Sequence, residues 1–358
     1  MTGRMPALAL AAGLLAGPFP VTQPGPQPAT QPATQPATQP ATVPVPTPGD
    51  PLAQALTAAG RINFSGQLIV DWVDGAARHR STLGVTVDDG VVDLDGPTKV
   101  VADRDGRLVQ GPQEQQGQQG WTLLWPTGDT LTVLPPYTDK YAVSTSAGPD
   151  VAGRPTTEVV LSVDGHLRER VAVDRASGLA LQRAIYNPDG TFVRLVSFSS
   201  FAITGSSSGA GPPATPKASR RAVPRPVPTG VPAPYAAPLD LAAGYHRVGV
   251  FRSAEGLQIL YSDGIDSLSV FEQPGSLGAE PSGGVAATVG RAPAAVWAWP
   301  GGQVTTWQNG PAVFTVVGDG PLSDLLAAAG SLPPARPVSW SQRLRHACRR
   351  LVSDLVGE

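Results

Sequence analysis

The chain is poor in the residues that carry most recognisable chemistry. It has one cysteine, Cys348, in 358 residues, which excludes an intramolecular disulfide and a cysteine-based zinc cluster. Its four histidines, His79, His166, His246 and His346, are far apart and form neither an HExxH nor a His-x-His pattern. Lysine is nearly absent, with Lys99, Lys140 and Lys217 the only three, and charged residues make up 15% of the chain at a net charge of −2. A protein so weakly charged is not a general binder of nucleic acid. The one long apolar run, Met5 to Gly17, follows Arg4 and is about the length of a signal-peptide core, too short to span a bilayer comfortably. Export to the periplasm or cell envelope is the expectation, with an uncleaved membrane-tethering segment over 1–20 as its variant.

Glycine and proline are plentiful, at 41 and 39 residues, but the prolines cluster. Gln-Pro-Ala-Thr repeats four times from Gln27 to Thr42, and a Ser/Gly-rich stretch passes into a Pro/Arg-rich one between Gly205 and Pro238. Proline fixes φ and removes a donor, so these stretches read as spacers, an extended one over 21–49 and a disordered one over 205–238. The latter contains Gly205-Ser-Ser-Ser-Gly209, formally a nucleophile elbow. Such an elbow needs a strand before it and a helix after it, and here a spacer follows. No other serine, histidine and carboxylate set stands out, and the chain is read as a non-enzyme without cofactor or metal.

Two regions remain with ordinary globular composition, 50–204 and 239–334. The first opens on Asp50-Pro51, an N-cap and a first-turn proline, with Leu52, Ala55, Leu56 and Ala59 at helical spacing. The pattern then turns to period two: strands are expected from Phe64 to Trp72, over 82–87, 91–94 and 99–102, and in four longer runs between Thr157 and Ile203 joined by Asp-Gly and Ser-Gly turns. Trp72, Trp121, Leu124, Trp125 and Leu131 form an aromatic and aliphatic set with two readings, sheet core or the lining of a groove for an acyl chain. In the second region strands are expected at Tyr245 to Phe251, Leu257 to Tyr261, Ile265 to Phe271, Val304 to Trp307 and Ala312 to Val317, followed by a helix from Leu322 to Ala329. The class is α+β: a curved antiparallel sheet with a helix, then a smaller antiparallel sheet with one helix. In the tail, 335–358, Trp340, Leu344 and Leu351 recur on one helical face, with Arg343, Arg349 and Arg350 around it. This basic amphipathic helix either docks on its own protein or engages a membrane surface or partner.

Several stretches together resemble the RseB/MucB family of periplasmic regulators. They are Leu94-Asp-Gly-Pro97, the run from Val151 to Phe201, LAAGYHRV from Leu241, LQILYSDGIDSLSVFE from Leu257 and VVGDGPLSDLLAAAG from Val316. The resemblance covers about 51–204 and 239–332 and leaves the spacers and tail unmatched. It implies a half-barrel similar to LolA-type lipoprotein carriers, and a smaller domain that binds the extracytoplasmic segment of a membrane-bound anti-sigma factor and shields it from proteolysis. Acyl chains of lipids or lipoproteins would relieve that shielding. By the same analogy the partner surface is expected at Tyr261, Ser262, Asp263, Gly264, Ile265 and Phe271, on an exposed strand able to pair with an extended segment. A lipid or lipoprotein carrier is the alternative function.

Overall fold

The computed structural model describes residues 50–58, 62–88, 91–95, 100–102, 108–110, 136–206, 225–226, 235–252, 256–277 and 284–334. Trp121, Leu124, Trp125 and Leu131 of the expected groove lie outside these residues, as does the whole tail with Trp340, Arg343, Leu344, Arg349, Arg350 and Leu351.

The first region begins with helix α1 (Pro51–Ala58). Asp50 caps it as expected: its carboxylate accepts from the Leu52 N–H at 2.9 Å and its carbonyl from Gln54 at 3.0 Å. Ten strands follow in one antiparallel sheet: β1 (Ile62–Asp74), β2 (Ala77–Asp88), β3 (Val91–Asp95), β4 (Val100–Ala102), β5 (Leu108–Gln110), β6 (Ala142–Ala147), β7 (Thr156–Val163), β8 (His166–Asp174), β9 (Ala180–Tyr186) and β10 (Phe192–Ser206). The spatial order is β5-β4-β3-β2-β1-β10-β9-β8-β7-β6, so two meanders join where the first strand pairs with the last. Among the described residues its end strands, β5 and β6, do not pair, so the sheet is open.

In an antiparallel ladder, directly paired residues share a face. The pairs Leu68↔Phe198, Val70↔Val196 and Trp72↔Arg194 continue as Val196↔Arg183 and Arg194↔Ile185, then Arg183↔Val171 and Ile185↔Glu169. One face therefore carries a largely apolar field running from β1 to β8. It is covered by α1, whose Leu52 and Ala55 pack with Val159, Leu161, Val171 and Val173. Ile265 of the second region joins the same cluster. Trp72 is buried in the adjoining cluster with Leu68, Leu83, Val196 and Phe198, and its ring stacks on His79 at 5.2 Å.

The second region forms a nine-stranded antiparallel sheet from β11 (Arg225–Pro226), β12 (Asp240–Leu241), β13 (Tyr245–Arg252), β14 (Leu257–Ser262), β15 (Ser267–Pro274), β16 (Val285–Val289), β17 (Ala292–Trp299), β18 (Gly302–Asn309) and β19 (Ala312–Gly318). Helix α2 (Leu322–Gly330) covers one face, placing Leu325, Ala328 and Ala329 among Ile259, Val270, Trp307, Phe314 and Val316. The α+β class stands. Among the described residues no helix is long and apolar enough to cross a membrane.

Strand β1 meets β10 closely at Gly66. A Cβ there would lie 2.2 Å from the Ser200 carbonyl oxygen and 2.9 Å from the Phe198 ring, next to a bulge in the ladder between Gln67 and Leu68. The backbone at that seam cannot retreat without breaking the join between the two meanders. Gly66→Ala is therefore expected to cost about 1–3 kcal/mol, read as a lower melting temperature; an unchanged melting curve would contradict the close approach.

Candidate functional site

Strands β8, β9 and β10 each carry a charged residue where their alternation calls for an apolar one: Glu169 before Val171 and Val173, Arg183 between Leu181 and Ile185, and Arg194 before Val196 and Phe198. All three side chains point from the first sheet's apolar face toward the second sheet, and all are buried. Arg183 is the centre. Its Nε and Nη2 donate to the two carboxylate oxygens of Glu169, both at 2.8 Å, in a fork. Nη2 also donates to Asp266 Oδ1 at 2.5 Å and Nη1 to Asp319 Oδ2 at 3.2 Å, so one guanidinium ties its own sheet to two points of the other. Arg194 crosses as well, donating to the carbonyl oxygens of Asp319 at 2.9 Å and Pro300 at 3.3 Å.

A second ionic group lies beside the first. Lys140, following a 3-10 turn at Tyr137–Asp139, places its ammonium 2.5 Å from Asp263 and 3.2 Å from Asp324. The Tyr141 hydroxyl donates to Asp263 at 2.8 Å, and Arg168 donates to Asp324 at 2.6 Å. Asp263 has two tasks. Its Oδ1 accepts from the N–H groups of Ile265 at 3.0 Å and Asp266 at 2.7 Å, which shapes the turn between β14 and β15, while Oδ2 faces Lys140 and Tyr141. Gly264 holds the turn's positive φ of 94°.

The arrangement is electrically one-sided. The first sheet's side supplies four cations, Lys140, Arg168, Arg183 and Arg194, with one carboxylate, Glu169; the second supplies four carboxylates, Asp263, Asp266, Asp319 and Asp324. Burial, reinforced by repulsion from Glu169, Asp263 and Asp319, pushes the Asp266 carboxyl well above the usual carboxylate range. Burial also raises Asp263, against the pull of Lys140. At Asp324 burial is outweighed by Arg168 and Lys140, which hold the carboxyl below its ordinary value. Burial and the neighbouring Arg183 bring Arg194 down to about 10. The cluster is a clamp between two sheets, with its charged groups engaged in holding one another. Among the described residues no group of histidine, cysteine, aspartate and glutamate could hold a metal ion.

The structure revises the expected partner surface. Tyr261, Ser262, Asp263, Gly264 and Ile265 are buried, the last three in the turn that plugs into the first sheet, and the Tyr261 hydroxyl donates to the Pro238 carbonyl at 3.1 Å. The strand expected at Ile265 to Phe271 is β15, paired on one side with β14 and on the other with β19, so it has no free edge for an incoming segment. Phe271 is half-buried on the sheet face opposite α2. Of the groove set only Trp72 is described, and it is core. The sequence reading missed Lys140, Arg168, Glu169, Arg183, Arg194, Asp266, Asp319 and Asp324, although the charges at apolar positions of β8, β9 and β10 were a usable signal.

No family model and no curated protein matches the chain. Among solved structures it is similar to MucB in the Pseudomonas aeruginosa MucA/MucB complex, at 21% identity over 81% of this chain and 99% of that one, with a TM-score of 0.47. It is similar to a crystal structure of MucB, at 20% identity over 80% and 97% of the two chains, with a TM-score of 0.49. A LolA superfamily protein from Nitrosomonas europaea is similar at 10% identity over 42% of this chain and 90% of that one, with a TM-score of 0.19.

Removing one partner of a buried ion cluster strands the others, at a cost of about 3–5 kcal/mol. Arg183→Met is expected to destabilise the protein by that order. The loss should shrink on acidification from pH 8 to 5. Asp266 already binds its proton more tightly folded than unfolded; without the guanidinium that difference grows, so the folded state gains as pH falls and loses as it rises. Denaturant titrations across that range check it, and a deficit that grows in acid would refute the assignment.

Proposed function

We propose that this chain is an extracytoplasmic negative regulator of an envelope-stress sigma factor pathway, binding the extracytoplasmic segment of a membrane-bound anti-sigma factor and shielding it from proteolysis. One observation carries the reading. The stretches that resemble the RseB/MucB family are the ones that meet at the buried clamp: Glu169, Arg183 and Arg194 lie in the run from Val151 to Phe201, Asp263 and Asp266 in the run from Leu257 to Glu272, and Asp319 and Asp324 in the run from Val316 to Gly330. The resemblance is thus not a collection of separate hairpins, each of which would be unspecific. It describes one junction that fixes two sheets as a single platform, a form suited to covering a peptide segment.

Export and engagement of a membrane surface by the basic tail belong to the same proposal. The carrier alternative rests on Trp72, Trp121, Leu124, Trp125 and Leu131, of which only Trp72 is described, in the core, while α1 and the Ile265 turn cover the face at β7 and β8.

A tagged full chain, used as bait in envelope extracts, is expected to retain a single-pass protein with an anti-sigma domain, and to slow cleavage of that protein's extracytoplasmic segment by about tenfold at saturation. Retention of no such protein, or cleavage at an unaltered rate, would remove the proposal.

A further inference from the structure

With β15 enclosed, the nearer margin of the second sheet is β13, on the far side of β14, and it is occupied in an unusual way. On the side away from β14, β12 pairs Asp240 and Leu241 with His246 and Tyr245. The Arg247 N–H continues that contact to the Leu239 carbonyl at 2.7 Å, and the Arg247 guanidinium donates to the Ala237 carbonyl. At the other end β11 pairs Arg225 with Arg252 and Pro226 with Phe251. β11 comes from the spacer between the two regions, and β12 from the first residues of the second region. Among the described residues no strand pairs with Val248 to Val250 on that side.

The two attachments differ in strength. The β12 end is anchored by backbone and side-chain bonds. At the β11 end two pairs are found among the described residues, and Pro226 has no N–H to donate to one of them. A shift in the ladder between Arg247 and Gly249 marks a bulge at Val248, so a regular edge runs from Gly249 through Arg252. Charge singles out the same edge. Residues 239–334 contain three basic residues, Arg247, Arg252 and Arg291, and two of them are on β13. Their ladder partners, Tyr261 and Leu257, put both arginines on the face covered by α2, five residues apart across the bulge, and Arg252 is exposed. The marginal strands β16 and β6 carry no charged residue and offer no comparable selectivity.

We propose that the outer edge of β13, from Gly249 to Arg252, is the docking line for an extended acidic segment, and that β11 is an internal stand-in which this segment displaces. The inference deepens the proposed function, since the segment would be part of the anti-sigma partner. An incoming strand with carboxylates at alternate positions replaces the β11 pairing and sets an acid against the exposed Arg252, so backbone pairing supplies affinity and charge supplies choice.

A fluorescein-labelled dodecapeptide of alternating valine and glutamate serves as probe for the full chain. Pro226→Cys with Phe251→Cys, on a Cys348→Ser background, ties the stand-in to the edge when oxidised. Oxidation is expected to weaken peptide binding by about tenfold or more, reduction to restore it, and replacing 221–228 by glycine and serine to strengthen it several-fold. Arg252→Glu should weaken the glutamate peptide and favour its lysine counterpart. Equal binding by locked and reduced forms, or no preference between the two peptides, overturns the inference. A captured anti-sigma protein that binds locked and reduced chains alike removes this edge and leaves the regulatory reading standing; capture of no such protein removes that reading, while the peptide experiment still decides the edge.

Discussion

The Arg183 guanidinium, fully enclosed and shared among Glu169, Asp266 and Asp319, is the constraint on which the relation of the two sheets depends. A buried arginine tolerates few arrangements, because its donors have fixed directions and an unmatched charge in a poorly polarisable surrounding is costly. Glu169 alone neutralises it within the first sheet, leaving donors aimed outward, and the second sheet meets them only when Asp266 and Asp319 are in register. The ions are not thereby the main source of cohesion. Separating the sheets would return all of these charges to water and recover their hydration, so the net gain from pairing is small. Apolar contacts, Ile265 against α1 and β7, and Ala298 against the first sheet's core, supply the attraction, and the ions select its geometry.

Much of the fold could be read from the sequence and little of the junction could. The run from Thr157 to Ile203 alternates strongly and is punctuated by Asp-Gly and Ser-Gly turns, and it became β7 to β10 with small shifts of boundary. The Asp50-Pro51 cap and the helix after Gly320-Pro321 were equally plain. Strands β16 and β17 were missed because Val285-Ala-Ala-Thr-Val289 and Ala292-Pro-Ala-Ala-Val-Trp-Ala-Trp299 are rich in alanine and interrupted by proline, features that lower strand preference. β6, Ala142-Val-Ser-Thr-Ser-Ala147, has one large apolar residue and depends on β7 for its conformation.

The turn at Tyr261-Ser-Asp-Gly264 shows the limit more closely. Its hairpin chemistry was legible, since Asp and Gly specify such a turn locally. Its destination was not, because the groups that receive it, Lys140, Tyr141 and Arg183, lie far off in the chain and obey no spacing rule. A polar turn was therefore expected to face solvent or a partner, and it faces the other sheet. The general sign of such a junction is a charge standing in the apolar phase of a strand, as Glu169, Arg183 and Arg194 all do.

The junction also imposes an order of events on a chain that emerges from its amino terminus. Arg183 is separated from Asp266 by 83 residues and from Asp319 by 136, and Lys140 from Asp324 by 184. Every cation is thus synthesised before any of its cross-sheet carboxylates, and the first sheet can complete its ladder while its cationic face is still bare. Closing loops of that length makes docking a late step, slower than the local hairpins on either side. During that interval the nascent protein presents Lys140, Arg168, Arg183 and Arg194 on a face that the mature one buries, and whatever escorts it must tolerate that uncovered cationic patch.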